Sequence, residues 1–188
     1  AEMSLLFRRV RTRVLILVVA LVPVATAIAV RLSGDGPSPG SGPRFFDQIT
    51  NNGVFAVLAG LTVTLPVFLP LAVAIVAGDA VAGEANLGTL RYVLSRPVGR
   101  ARLLVLKGTT LVLFCFAATF AVALAGLITG AILFPIGDVT TLSGDVLSLP
   151  AGMLRIGLAA VLVALSLFGL AAIGLFFSTL TDAPVGAM

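Results

Sequence analysis

Four apolar stretches without a single ionisable residue constrain this chain more than anything else in it. They run Val14–Val30, Val54–Ala77, Gly108–Ile136 and Ile156–Phe177, and none contains Asp, Glu, Lys, Arg or His. A hydrocarbon layer about 30 Å thick takes roughly 20 helical residues at about 1.5 Å each. The first run is at the short limit of a span, and the third is long enough to tilt or project. Each reads as a transmembrane helix, with spans expected at about 14–31, 54–78, 104–136 and 153–178. A chain 59% hydrophobic and 11% charged, with mean hydropathy +1.18, has too little polar surface to face water. The expected fold class is all-α: one polytopic transmembrane helical bundle over residues 1–188.

The basic residues orient these runs. Arg8, Arg9, Arg11 and Arg13 precede the first, and Arg91, Arg96, Arg100, Arg102 and Lys107 lie between the second and third. The other side carries Arg31, Arg44 and Arg155 beside Asp35, Asp47, Asp138 and Asp145. Under the positive-inside rule the N-terminus and the middle link are cytoplasmic. Arginine greatly outnumbers lysine, and with abundant Ala, Val and Gly this points to a GC-rich bacterial genome. The expected location is therefore a bacterial plasma (inner) membrane. Charge clustered beside apolar runs encodes topology, and no basic face with interleaved aromatics exists, so nucleic acid is not an expected partner.

Before the first run, Met3, Leu6, Phe7 and Val10 share one helical face, with the arginines largely off it. An amphipathic helix in the membrane interface fits this pattern. So do a plain basic flank of the first span and the n-region of a signal peptide cleaved near Ala25-Thr26-Ala27. The Gly, Pro and Ser-rich stretch Ser33–Gly42 reads as a flexible loop, and Gly137–Pro150 as a second polar loop.

Secondary transporters and proton pumps place ionisable groups at membrane depth, and these runs have none. Histidine is absent and Cys115 is the single cysteine, so neither a metal site nor a nucleophile–base pair is expected. The chain is not expected to be an enzyme, and it lacks the Gly-x-x-x-x-Gly-Lys-Ser/Thr phosphate loop. If it transports, something else drives it. Thr26, Thr62, Thr64, Thr119 and Thr129 are expected to bond their own helix backbone. Pro66 and Pro70 are expected to kink the second span. Ala117, Ala121 and Ala125, and then Gly126 and Gly130, recur at four-residue spacing and admit close helix packing within the subunit.

The link from Gly78 to Arg102 is the most informative segment. Thr89, after Gly88, is a good helix N-cap. Leu90–Arg96 fits a short helix that Pro97 and Gly99 end, and Arg100 restarts a helix leading into the third run. Leu90, Val93 and Leu94 form an apolar face beside Arg91, Arg96 and Tyr92, the only tyrosine. Such a helix suits a groove on a cytoplasmic partner. It equally suits lying on headgroups with its arginines on lipid phosphate.

The run Gly83-Glu84-x-x-x-Gly88-Thr89-Leu90-x-x-x-Leu94-Ser95-Arg96-Pro97-Val98-x-Arg100, followed by Lys107, resembles the signature of ABC transporter type-2 exporter permeases. The resemblance implies a membrane-spanning subunit whose segment 79–102 is a coupling region moved by a separate ATPase. Glu84, Gly88, Thr89, Leu90, Arg96, Pro97 and Arg100 carry the match. Gly88, Thr89 and Pro97 would shape the helix ends, and Glu84, Arg96 and Arg100 would contact the ATPase or brace the helix. Arg91 and Tyr92 join this docking set on their chemistry alone. The resemblance further implies ATP and Mg in the partner ATPase, no cofactor in this chain, and pairing with a second copy or a homologue within membrane lipid. Apolar and hydroxyl side chains at the seam between copies would favour lipid-like or amphiphilic cargo, and no substrate residue is assigned.

Such permeases have six spans against four here, and Thr181–Met188 reads as a loop opening a further helix, so two more C-terminal spans are expected. The alternative reading is a structural or assembly subunit of a larger membrane complex, which would have no ATPase partner.

Overall fold

A computed structural model describes residues 10–32, 49, 52–83, 100–140 and 146–180. The described residues are helical apart from one small hairpin and short connections. Its described helices are α1 (Val10–Leu32), α2 (Phe55–Thr64), α3 (Phe68–Asp79), α4 (Arg100–Leu133) and α5 (Leu149–Leu180). Between α4 and α5 the expected polar loop contains β1 (Val139–Thr140) and β2 (Val146–Leu147), antiparallel with Val139 opposite Leu147. Three helices, α1, α4 and α5, are long and apolar enough to cross a membrane, and α2 with α3 passes the same test as a bent pair.

Several helix limits differ from the apolar runs, for local reasons. Val10–Arg13, the end of the expected interfacial segment, is the first turn of α1, because nothing between Arg13 and Val14 breaks a helix. Residues 1–9 lie outside the described residues. Helix α4 starts at Arg100 and so includes the last residues of the expected link. It ends at Leu133, since Pro135 disfavours helical geometry in the residue before it. In α5, Gly152 N–H donates to Ser148 O at 3.0 Å, which puts Pro150 in the first turn, where its missing N–H costs nothing.

Helix α4 is the axis of the bundle and packs against each of the other four; α1 and α2 lie together on one flank, α3 and α5 on the other. The main core joins Val19, Val57, Leu69, Val73, Phe114, Val122 and Leu167, and a smaller one at the Asn52 end joins Ala27, Ile49, Val54, Phe55 and Phe134. Small residues set how closely the helices approach. A Cβ on Gly60 would stand 2.6 Å from Pro23 Cβ, and one on Gly174 would stand 2.7 Å from Ala77 Cβ. A Cβ on Gly126 would stand 3.0 Å from Val57 Cα, and Gly130 and Gly53 meet backbone to backbone. The Gly126–Gly130 pair thus packs against α2 inside the subunit.

The second apolar run is broken at Leu65–Val67, and α2 and α3 meet at 54°. Pro66 and Pro70 lack N–H groups, so helical bonding cannot run through this point; Val67, at φ −132° and ψ −57°, leaves the helical region. Regular bonds resume only on either side, with Leu65 N–H to Leu61 O at 2.9 Å and Leu71 N–H to Val67 O at 3.0 Å. The pair still traverses the bundle. Its first end is tied to the segment after α4: Gly53 N–H donates to Pro135 O, and Asn52 Nδ2 donates to Gly137 O and Asp138 O at 3.0 and 3.2 Å. Its far end meets the start of α1 and the end of α5.

Four of the five singled-out threonines bond their own helix: Thr26 to Val22 O, Thr62 to Leu58 O, Thr64 to Gly60 O and Thr129 to Ala125 O. Thr119 differs. Its hydroxyl is fully buried and has no hydrogen-bond partner.

Candidate functional site

The end of the bundle that carries most of the described basic residues, Arg11, Arg13, Arg100, Arg102 and Lys107, is where α3 ends and α4 begins. Of the residues assigned to that segment, Glu84, Gly88, Thr89, Leu90, Arg91, Tyr92, Arg96 and Pro97 lie outside the described residues. Arg100 is described, as the first residue of α4, so a helix does restart there. Lys107, which closes the motif, is only 7% exposed on α4. A buried ammonium requires polar surroundings, and Thr12, Thr110 and Ser178 are buried at the same end. This end is polar inside, not merely rimmed with charge.

Among the described residues, three contacts help to fix the exit from α3. Arg11, in the first turn of α1, stands 3.4 Å from Asp79 Oδ1 at the last residue of α3. The pair is partly exposed, Arg11 by half, so it contributes about 0–1 kcal/mol and serves mainly to register α1 against α3. Gly83 lies under the Asp79 carboxylate, in space that a Cβ would need. Ser178, near the end of α5, makes the most specific contact. Its hydroxyl donates to Gly78 O at 2.7 Å and accepts the Val81 and Ala82 N–H groups, both at 3.0 Å. The hydroxyl's donor and both acceptor positions are thereby used, and the turn after α3 is held by α5.

Sequence reasoning passed over Ser178 because the apolar run stops just before it, at Phe177. A hydroxyl placed at the edge of a long apolar run, facing a helix that ends in Gly78-Asp79, is the signal that was available. Asp79 was legible as the start of the link but not as the partner of Arg11, since that pairing depends on tertiary packing.

A second feature is an apolar crevice of about 120 Å³ between α2, α4 and α5, lined by Val57, Phe120, Leu124, Leu127, Met153 and Ile156. It is well below the roughly 300–1,000 Å³ of a small-molecule pocket and its lining is almost wholly apolar. Among the described residues no group of three His, Cys, Asp or Glu side chains lies close enough to hold a metal ion. The described chemistry of the basic end is therefore structural: backbone held by the Ser178 hydroxyl, and the Arg11–Asp79 ion pair between α1 and α3.

Neither the curated proteins nor the solved structures gave a match to this chain. Residues 10–188 match the family model described as "Protein of unknown function (DUF2705)", and with nearly its whole length matched the chain belongs to that family.

Proposed function

We propose that this chain is the membrane-spanning permease subunit of an ATP-binding-cassette transporter of the exporter type, moved by a separate ATPase. One observation carries the reading: the ordered set Glu84, Gly88-Thr89-Leu90, Leu94-Ser95-Arg96-Pro97-Val98 and Arg100 between the second and third apolar runs. Two features of the fold are in keeping with it. The helices that flank this segment, α3 and α4, pack against each other. The exit from α3 is tied to α1 and α5, so a push on the segment would reach three helices at once. On this reading the basic end is cytoplasmic, in a bacterial plasma membrane, and the ATPase binds the ATP and Mg. Two permease chains, alike or homologous, stand above a pair of ATPases whose closure tilts the bundles.

The test is affinity purification of the tagged full-length protein from its own host in mild detergent. The expected result is a co-purifying ATPase, released by Glu84→Ala with Tyr92→Ala while the permease stays folded. A folded permease that brings no ATPase under any condition would refute the reading and favour an assembly subunit.

A further inference from the structure

The apolar crevice between α2, α4 and α5 has a shape that its volume alone does not convey. On α4 it is lined by Phe120, Ala123, Leu124 and Leu127, and on α5 by Met153, Ile156, Gly157 and Ala160. Both sets follow the i, i+3, i+4, i+7 pattern of one helical face, so the crevice is a groove between two facing stripes. From first to last position each stripe advances about 10 Å along its helix. The base of the groove is buried, with Val57 and Ala160 each 1% exposed, while Phe120 and Leu124 on its rim are 39% and 56% exposed. Every lining residue except Met153 falls within an apolar run, so the groove opens at membrane depth. It lies away from the basic end, where Gly108 of α4 faces Leu175 of α5.

We propose that this groove seats an acyl chain of a membrane phospholipid. A helix is about 10–12 Å across, and a volume of about 120 Å³ spread along the groove leaves no room for one. A neighbouring helix could bridge the mouth but not enter. Water is no better suited, since an apolar cavity without hydrogen-bond partners stays dry. The side chains lining the groove are hydrocarbon but for the Met153 thioether, and methionine adapts readily to an irregular neighbour. An acyl chain is slender, apolar and flexible, and it runs along the membrane normal as the crossing helices do. Filling the groove supplies the dispersion contacts that its walls otherwise lack. Gly157 helps to keep the groove open. A Cβ there would meet nothing within 4 Å, so a longer side chain would project into the groove without displacing backbone. Such seating requires only that the helices cross a membrane, and it stands whether or not an ATPase partners the chain.

The test reconstitutes the full-length protein in phosphatidylcholine vesicles doped with a phosphatidylcholine that carries a photoreactive diazirine midway along one acyl chain. After irradiation, peptide mapping compares residues 120–127 and 153–160 with residues 162–173, a stretch of α5 whose Leu162, Leu165 and Ile173 are exposed. Labelling of the two groove segments several-fold above that stretch is the expected result, lost in Gly157→Leu and kept in Gly169→Leu. Gly169 is the matched control, since a Cβ there also meets nothing within 4 Å and it does not line the groove. Should Gly157→Leu fail to fold, the labelling pattern of the parent decides alone. Groove labelling no greater than that of the exposed stretch, or unchanged in a folded Gly157→Leu protein, would overturn the seat in favour of lipid that merely surrounds the bundle. An unlabelled groove beside a labelled exposed stretch would overturn it too, and would mean that a second copy or another protein segment covers the mouth.

Discussion

Ser178→Ala should loosen the joint between α3 and α5 without disturbing the rest of the bundle. The substitution removes one oxygen and, with it, the bonds to Gly78 O, Val81 N–H and Ala82 N–H. Hydrogen bonds between membrane helices average about 0.6 kcal/mol and reach about 1.7 kcal/mol. Three of them therefore come to about 2 kcal/mol, which matches the cost of about 1–3 kcal/mol for leaving a buried polar group unpaired. Water has little access to compensate, since Ser178 and Ala82 are almost fully buried. A loss of about 2 kcal/mol changes the folding equilibrium roughly 30-fold. Reversible unfolding in mixed micelles measures it, and amide exchange locates it, with Val81 and Ala82 losing protection ahead of the helix interiors. Ser166→Ala is the matched control, since that exposed hydroxyl makes only a local bond to Val163 O. A Ser178→Ala protein within about 0.5 kcal/mol of the parent, the range of an ordinary surface change, would refute the assignment of this hydroxyl as the clamp.

Gly130→Ala should cost at least about 1–3 kcal/mol, because its new methyl would meet the Gly53 backbone and the helices would have to separate. Gly157→Ala, with nothing within 4 Å, should be neutral or gain up to about 1 kcal/mol, and the same unfolding assay compares the two. Asn52→Ala should lower stability by about 1–3 kcal/mol, since it strips Val54 N–H and the carbonyls of Gly137 and Asp138 of their shared partner. Thr119→Val should leave stability unchanged or raise it by about 1 kcal/mol, because it replaces a buried hydroxyl without a partner by a methyl of the same shape; a clear loss would mean that the hydroxyl is bonded.

The apolar runs made the helices legible, because a backbone in hydrocarbon can satisfy its polar groups only locally. That logic located α1, α4 and α5, and the chemistry of Pro66 and Pro70 located the bend. It did not reveal that the bend is a full break, which rests on Val67 leaving helical geometry. The spacing of Gly126 and Gly130 signalled close packing, but only the fold shows that their neighbour is the start of α2. The basic end was visible as charge. Its interior was not, because the burial of Lys107 and the three bonds of Ser178 arise from residues far apart in sequence. The motif between Glu84 and Pro97 was read from residue identities alone and falls outside the described residues, so its weight still rests on sequence.

The broken span divides the bundle mechanically. Helix α2 is packed against α1 by Gly60 on Pro23 and against α4 by Val57 on Gly126, and the segment just before it is held by Gly53 on Gly130 and by Asn52 at the far end. Helix α3 is packed against α5 by Gly174 on Ala77 and tied to it by Ser178. Side-chain hydrogen bonds between separate elements thus hold the two ends, while the middle rests on packing alone among the described residues. With Pro66 within the break and Pro70 in the first turn beyond it, the ladder between the halves is already interrupted, so rotating one half against the other breaks no regular helical bond there. On the transporter reading, a push at the basic end would move α3 and α5 as a unit, with the break as the hinge. Locking α2 to α3 with a continuous helix, by Pro66→Ala and Pro70→Ala together, should then uncouple ATP hydrolysis from transport while ATPase docking is kept, and transport at parental rates in that variant would rule the hinge out.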